Sequence, residues 1–524
     1  MSYNLIPCDR EQMFLLPPCM KDWLPPDHPV WVVIDAVASM DLSPFYQNYR
    51  EDGWGAAAFD PGMMVTLLLY GYSRGIRSSR KIAQACREDI AFRVITANHP
   101  PDHATIARFR QSNVTCLEDL FREVLRVCRK AGMIRLGVFS LDGTKLKANA
   151  SLDGNRTADQ LKEEQKQLKD QEGQKQLQGQ KQLQDQKKLQ KEQKQLQDQE
   201  EQQRIRQEIA GQIEETLAEA ERLDREENAR YGPRQRGDEL PPELRDPATR
   251  QARLEECLRR LQEEAEEEAA QQTRKIEERQ AEEEAAGKKK RGRKPKDPDP
   301  DPSPQAKANP TDPDSRIMKS RRGYLQGYNG QVVVSEEQLI MAASLTQEAN
   351  DQHQLSPMLE TLQENLQAIG LLEGPEAVIG DAGYCNEENL KKAAASGRGS
   401  SKRPGVFAPE LLIATKKDCK QQKEWREMPP PRGRIPSNLT PRQRIDRKLR
   451  TERGKALYRQ RGRTVEPVFG QIKRRLGYDG LLLRELAKAD GEWKLICAAC
   501  NRTACGSMSC AVGARRKAQG GPKR

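Results

Sequence analysis

The run Val138-Phe139-Ser140-Leu141-Asp142-Gly143 is a short apolar segment that ends on a carboxylate followed by glycine. A second run of the same design, Val378-Ile379-Gly380-Asp381-Ala382-Gly383, lies far downstream. Both read as buried strands, and an aspartate closing such a strand stands at the carboxyl edge of a sheet with a small residue beside it. A third carboxylate, Glu466, sits in Thr464-Val465-Glu466-Pro467-Val468-Phe469-Gly470-Gln471-Ile472-Lys473, where Pro467 marks a helix start. Two strand-end carboxylates and a helix glutamate can hold a pair of hard cations, because magnesium takes oxygen ligands and leaves positions open for phosphate. Taken singly, each has a plainer reading. Asp142-Gly143 is also a hairpin-turn signal, Asp381 could cap a helix near Asn386, and Glu466 could complement a helix N-terminus.

Outward from these motifs, strands and helices interleave. Gln331–Val334 and Leu339–Ala343 read as a hairpin around Ser335–Gln338, and a helix starting near Asn350 carries Leu355, Met358, Leu359 and Leu362. A short strand is expected at Leu411–Thr415 and a strongly basic helical region at Arg442–Arg475. The pattern argues for a mixed α/β core, with residues 136–155 as its first part and 309–500 as the remainder. Residues 1–135 read as an all-α domain. Its helices follow Asp60-Pro61, span Ser79–Cys86, follow Asp102, and place Leu117, Leu120, Phe121, Val124, Leu125 and Cys128 on one face. Basic residues near the helix ends leave two readings, a DNA-binding bundle or a plain packing domain.

Residues 156–308 interrupt the core. From Leu161 to Gln203 the chain is Gln, Lys, Glu and Asp with lone leucines whose register slips, which is too irregular for a coiled coil. Apolar stripes return at Ile205–Ala220 and at Leu254, Leu258 and Leu261, so a helical hairpin with its break at Tyr231-Gly232-Pro233 is expected. Lys288–Lys296 is a basic run in which Arg291-Gly292-Arg293 could enter a narrow minor groove or serve as a solvated linker. Residues 501–524 form a basic tail.

Composition narrows the function classes. Of 524 residues only 35% are hydrophobic and 5% aromatic, so part of the chain cannot be core, and the net charge of +11 points to a polyanionic partner. No run of 18 apolar residues exists to span a membrane, and the N-terminus lacks a secretion pattern, so a cytoplasmic protein is expected. The 12 cysteines then read as reduced thiols. Cys497 and Cys500 with Cys505 and Cys510 could bind zinc, yet Trp493–Ile496 leads into them as an apolar helix and the second pair is unevenly spaced. The four histidines show no metal spacing; His103 and His353 read as structural.

The sequence resembles the DDE-type insertion-sequence transposases of bacteria. Phe59–Gln111, above all Pro101–Arg110, is similar to the InsH-type N-terminal domain. Asn309–Arg316 and Gly323–Asn329 resemble the family's return to its core, Gly380-Asp381-Ala382-Gly383-Tyr384 its second aspartate motif, and Val465–Gly470 with Lys473 its glutamate region. The resemblance implies an RNase H-like α/β core interrupted by the insertion, with Asp142, Asp381 and Glu466 as catalytic and metal-binding residues. It implies two Mg2+ ions, with Mn2+ as substitute, and strand cleavage and transfer without a covalent enzyme intermediate. The family signature maps onto Tyr458, Arg461, Glu466 and Lys473, with Arg459 and Arg463 as alternatives for the arginine. Tyr458, Arg461, Arg463, Lys473, Arg108, Arg110, Arg291 and Arg293 are the expected DNA contacts. Double-stranded DNA, as terminal inverted repeats and target, is the implied partner of a homodimer in a synaptic complex, associated with the nucleoid. A catalytically inactive DNA-binding remnant, and a nuclease without strand transfer, are the alternatives.

Overall fold

The computed structural model describes residues 19–167, 169, 247–287, 297–320, 323–396 and 407–501, except 48, 50–57, 434 and 437. The run ending on Asp142 forms the first half of strand β1 (Val138–Lys147), enclosed from Val138 to Leu141 and half-buried beyond. The strand does not close at the aspartate. Its antiparallel pairing with β5 runs on to Lys147↔Gly327, after its parallel pairing with β7 has stopped at Leu141↔Gly380. Asp142-Gly143 is therefore not a hairpin turn.

The remaining strands are β2 (Arg156–Thr157), β3 (Lys307–Ala308), β4 (Arg316–Ser320), β5 (Gly323–Val334), β6 (Ile340–Thr346), β7 (Ala377–Gly380) and β8 (Glu410–Ile413). Strand β5 pairs with β1 along one edge; its other edge takes β4 and then β6. On the far side of β1, β7 and β8 are added in parallel. An antiparallel group of β1, β5 and β6 extended by two parallel strands is the RNase H-like mixed sheet that the resemblance implied. Strands β7 and β8 are buried throughout, which suits parallel strands covered on both faces. The β5–β6 hairpin turns at Ser335–Gln338 as expected, with Gln338 at φ +63°.

A helix over 486–501 closes the free edge of β6. Asn501 exchanges two 2.8 Å hydrogen bonds with the Ile340 backbone, and Asp490 accepts the Leu345 amide at 2.7 Å. An open edge would otherwise offer these groups to another chain. Cys497 and Cys500 are buried in this helix, and burial pushes the Cys500 thiol up to about 12, so both pack as small apolar groups. Cys505 and Cys510 lie outside the described residues.

The helices after Asp60-Pro61 and after Asp102 start where the sequence placed them. Asp60 accepts from the Met63 amide at 2.8 Å and Asp102 from the Thr105 amide at 2.6 Å. These helices belong to the same compact unit as the sheet, which comprises residues 1–149 and 314–524. Tyr478 donates to the Tyr72 carbonyl at 2.7 Å and Arg122 donates to Asn365 at 3.2 Å, joining helices to core.

The second unit spans 150–313. The chain leaves and returns through the antiparallel pair β2–β3, where Arg156 faces Ala308. Leu254, Cys257 and Leu261 of the long helix Pro247–Ala286 bury against Ala158, Leu161 and Ala308. The stripe beginning at Leu254 is thus a real packing face. Most of the Gln-rich tract, the Ile205–Ala220 stripe and the Tyr231–Pro233 break lie outside the described residues. Among the described residues, no helix is long and apolar enough to cross a membrane.

Candidate active site

Register places the two aspartates. Leu141 lies beside Gly380 on parallel strands, so the next residues, Asp142 and Asp381, emerge side by side at the same end of the sheet. Neighbouring strands are about 4.8 Å apart, which sets the scale of their separation. Asp142 accepts its own neighbour's amide, Gly143 N, at 2.8 Å, and Asp381 accepts Gly383 N at 2.7 Å to cap the short turn Ala382–Tyr384. The helix near Asn386 has Asn386 as its own cap, at 2.7 Å from Asn389 N.

Glu466 arrives from a helix that begins much earlier than Pro467 suggests. The helix spans Glu452–Gly470, capped by Thr451, and Pro467 lies inside it. An interior proline leaves the carbonyl four residues before it without a donor. That carbonyl, on Arg463, accepts from the Gln338 side chain at 3.3 Å. Beyond Gly470 the helix loosens into a π turn, Gln471–Arg475, which carries Lys473. The helix is latched to the sheet by the Thr464 hydroxyl, which donates to Ser140 Oγ at 2.7 Å, two residues from Glu466 and from Asp142. Arg453 ion-pairs with Glu376 and Glu410 and fastens the other end.

Asp142, Asp381, Glu466 and Lys473 line one open cavity. Burial pushes the Asp142 carboxyl up to about 7; Arg461 pulls against this and Asp381 adds to it. Burial raises the Asp381 carboxyl too, opposed by the Gly383 amide. Arg461 is the arginine that faces the site. Its guanidinium meets Asp142 Oδ2 at 3.0 Å and Asp418 Oδ2 at 2.7 Å, whereas Arg459 and Arg463 are exposed. Two carboxylates of the cavity, Asp351 and Asp418, were missed by sequence reasoning. Asp351 follows a strand at some distance and Asp418 opens a helix, and neither stands in an apolar run that would mark it.

The expected DNA contacts divide by exposure. Arg108 and Arg463 are exposed. Tyr458 is buried and donates to Asp418 at 2.6 Å, and Arg461 is enclosed in its two ion pairs. Arg110 is buried, donating to Tyr72 Oη and the Arg77 carbonyl, so it joins helices rather than meeting a phosphate. Lys473 is half-buried and donates to the Lys145 carbonyl at 2.7 Å. Arg291 and Arg293 lie outside the described residues.

The donor chemistry suits a hard divalent cation: oxygen ligands only, two of them half-buried carboxylates whose proton affinity is raised by burial. As arranged, no three of the described His, Cys, Asp and Glu residues stand together as a ready-made cage, and the Arg461 guanidinium pairs with Asp142. The chain matches a Transposase domain (DUF772) over residues 18–112 and a Transposase DDE domain over residues 297–502. The second match holds Asp381 and Glu466 but begins after Asp142, which the β1–β7 pairing brings beside Asp381. No curated protein and no solved structure matches the chain.

Proposed function

Because the chain belongs to the DDE-type insertion-sequence transposases, we propose that it cuts and rejoins DNA in the hollow at the carboxyl end of β7, with Asp142, Asp381 and Glu466 as its triad. One observation carries the reading: three carboxylates from distant parts of the chain line one cavity, two of them half-buried with their proton affinity raised by burial. Such an arrangement costs stability in the free protein, and a cation would turn that cost into affinity. When bound, Mg2+, or Mn2+ in its place, supplies a Lewis acid for the phosphate and an activated water or 3′-hydroxyl. Asp142 and Asp381 would hold the ions from the sheet side and Glu466 from the helix side. Thr464 fixes that helix against Ser140, and Arg461 neutralises Asp142 while no ion is present. The exposed Arg108 and Arg463 suit phosphate contacts on double-stranded DNA. The partners proposed are terminal inverted repeats and target DNA, met by a homodimer in a synaptic complex at the bacterial nucleoid.

The test is incubation of the full-length protein with its flanking element ends and Mg2+. Asp142→Ala, Asp381→Ala and Glu466→Ala should each slow nicking by at least about 10²–10³-fold while DNA binding persists. A variant that nicks at the normal rate removes its residue from the triad. Nicks without strand-transfer products would leave only a nuclease, and binding without nicks an inactive remnant.

A further inference from the structure

Asp351 lines the same cavity as the two strand-borne aspartates, and the glycines that follow them leave room for it. A β-carbon at Gly143 would stand 2.7 Å from Asp351 Oδ1 and 3.2 Å from Asn329 Oδ1. A β-carbon at Gly383 would stand 2.8 Å from Asp381 Oδ1 and 3.3 Å from Asp351 Oδ2. The small residue beside each aspartate thus opens space that the Asp351 carboxylate spans. Its Oδ1 is held by two amides from β5, Asn329 Nδ2 and Gln331 Nε2, each at 2.7 Å. Gln331 is held in turn by the Tyr384 hydroxyl, three residues after Asp381.

Asn329 supplies an independent sign. It is fully buried, and its Nδ2 group bonds Asp351 and the Glu348 carbonyl, yet its Oδ1 accepts no hydrogen bond. That oxygen faces the space left open at Gly143, next to Asp142. A buried acceptor without a donor is costly, and a cation or its coordinated water would satisfy it.

We propose that Asp351 is a fourth carboxylate of the catalytic centre, a cation-facing oxygen donor positioned between Asp142 and Asp381 by Asn329 and Gln331. The proposal rests on the metal reading of Asp142 and Asp381. It gives Asp351 Oδ2 to the ion beside Asp381, while the β5 amides keep Oδ1 from swinging away. Outer-sphere partners of a metal site typically tune affinity 10- to 100-fold.

The test titrates Mn2+ into the full-length protein without DNA and reads the free ion by electron paramagnetic resonance. Wild type is compared with Asp351→Asn, Asp351→Ala and Asp381→Asn, with melting followed in metal-free buffer. The asparagine keeps the shape and the Oδ1 acceptor, and alanine, which removes both oxygens, is the second variant should the asparagine fail to fold. Either Asp351 variant should bind Mn2+ about tenfold more weakly, with metal-free melting no lower for the asparagine. Wild-type affinity in the Asp351 variants, beside a loss in Asp381→Asn, would overturn the proposal and leave the triad standing. Unchanged affinity in Asp381→Asn, or no binding by wild type, would overturn both.

Discussion

The sheet side and the helix side of the site are built by different physics. On the sheet side, backbone register brings Asp142 and Asp381 together, and their carboxylates are half-buried, bonded to nearby amides and raised in proton affinity. On the helix side, Glu466 is exposed, and no hydrogen bond or ion pair ties it among the described residues. Its place depends on the Thr464–Ser140 latch and on a helix that carries a proline and then a π turn. π turns inside helices are frequent at functional sites. The sheet side is therefore fixed and electrostatically loaded, while the helix side is free to adjust to what binds. Arg461 links the two, reaching from the helix to Asp142.

The largest expected effect comes from cutting that link. Arg461→Met strips the enclosed Asp142 carboxylate of its partner, so the metal-free protein should lose about 3–5 kcal/mol well above pH 7. Near pH 5 the loss should shrink, because Asp142 then takes a proton. Denaturant melts at the two pH values check this, and a loss independent of pH would show that Arg461 acts through packing alone.

Next in size is the pH dependence of the sheet side. The Asp142 carboxyl is raised from its ordinary value near 3.8 to about 7, so the folded state binds the extra proton between these limits. Stability in metal-free buffer should then fall as pH climbs from about 4 to about 7, by on the order of 2–4 kcal/mol, and level off above. Asp381 is raised as well and adds with the same sign. Asp142→Asn should flatten the slope, and Mg2+ at pH 8 should restore stability to the wild type. A wild-type protein that gains stability across this window would contradict the burial argument.

The smallest effect on stability belongs to the helix side. Glu466→Gln should move the unfolding free energy by less than about 0.5 kcal/mol, as for other exposed positions. Calorimetry of this variant beside Asp142→Asn compares the two sides directly. A large shift for Glu466→Gln would mean that the glutamate is held as tightly as the aspartates.

Much of the architecture was legible in local pattern. The Asp142 and Asp381 runs are strands because short apolar stretches bury well in a sheet, and Asp102 caps its helix because its side chain reaches a free amide, whereas the helix at Glu387 takes Asn386 and not Asp381 as its cap. The hairpin at Ser335–Gln338 and the packing face from Leu254 were legible for the same local reason. Pro467 misled because a proline at a helix start and one inside a helix look alike until the distant Gln338 is seen to serve the carbonyl it frees.

Sequence by itself determined the two aspartate-bearing strands, the β5–β6 hairpin, the basic helical region and two aspartates whose neighbours are small, whereas β2, β3, β4 and the first part of β5 carry no apolar run that marks them. Only the tertiary structure decided which arginine faces the site, since Arg461 and Asp142 are 319 positions apart and no spacing rule connects them. It also decided that Arg110 and Tyr458 are enclosed, and that Asp351 lines the same cavity as the two aspartates. Local choices depend on neighbours along the chain, which a sequence displays. Charge pairing and burial depend on neighbours in space, which exist only once β1, β7 and the Glu452–Gly470 helix have come together.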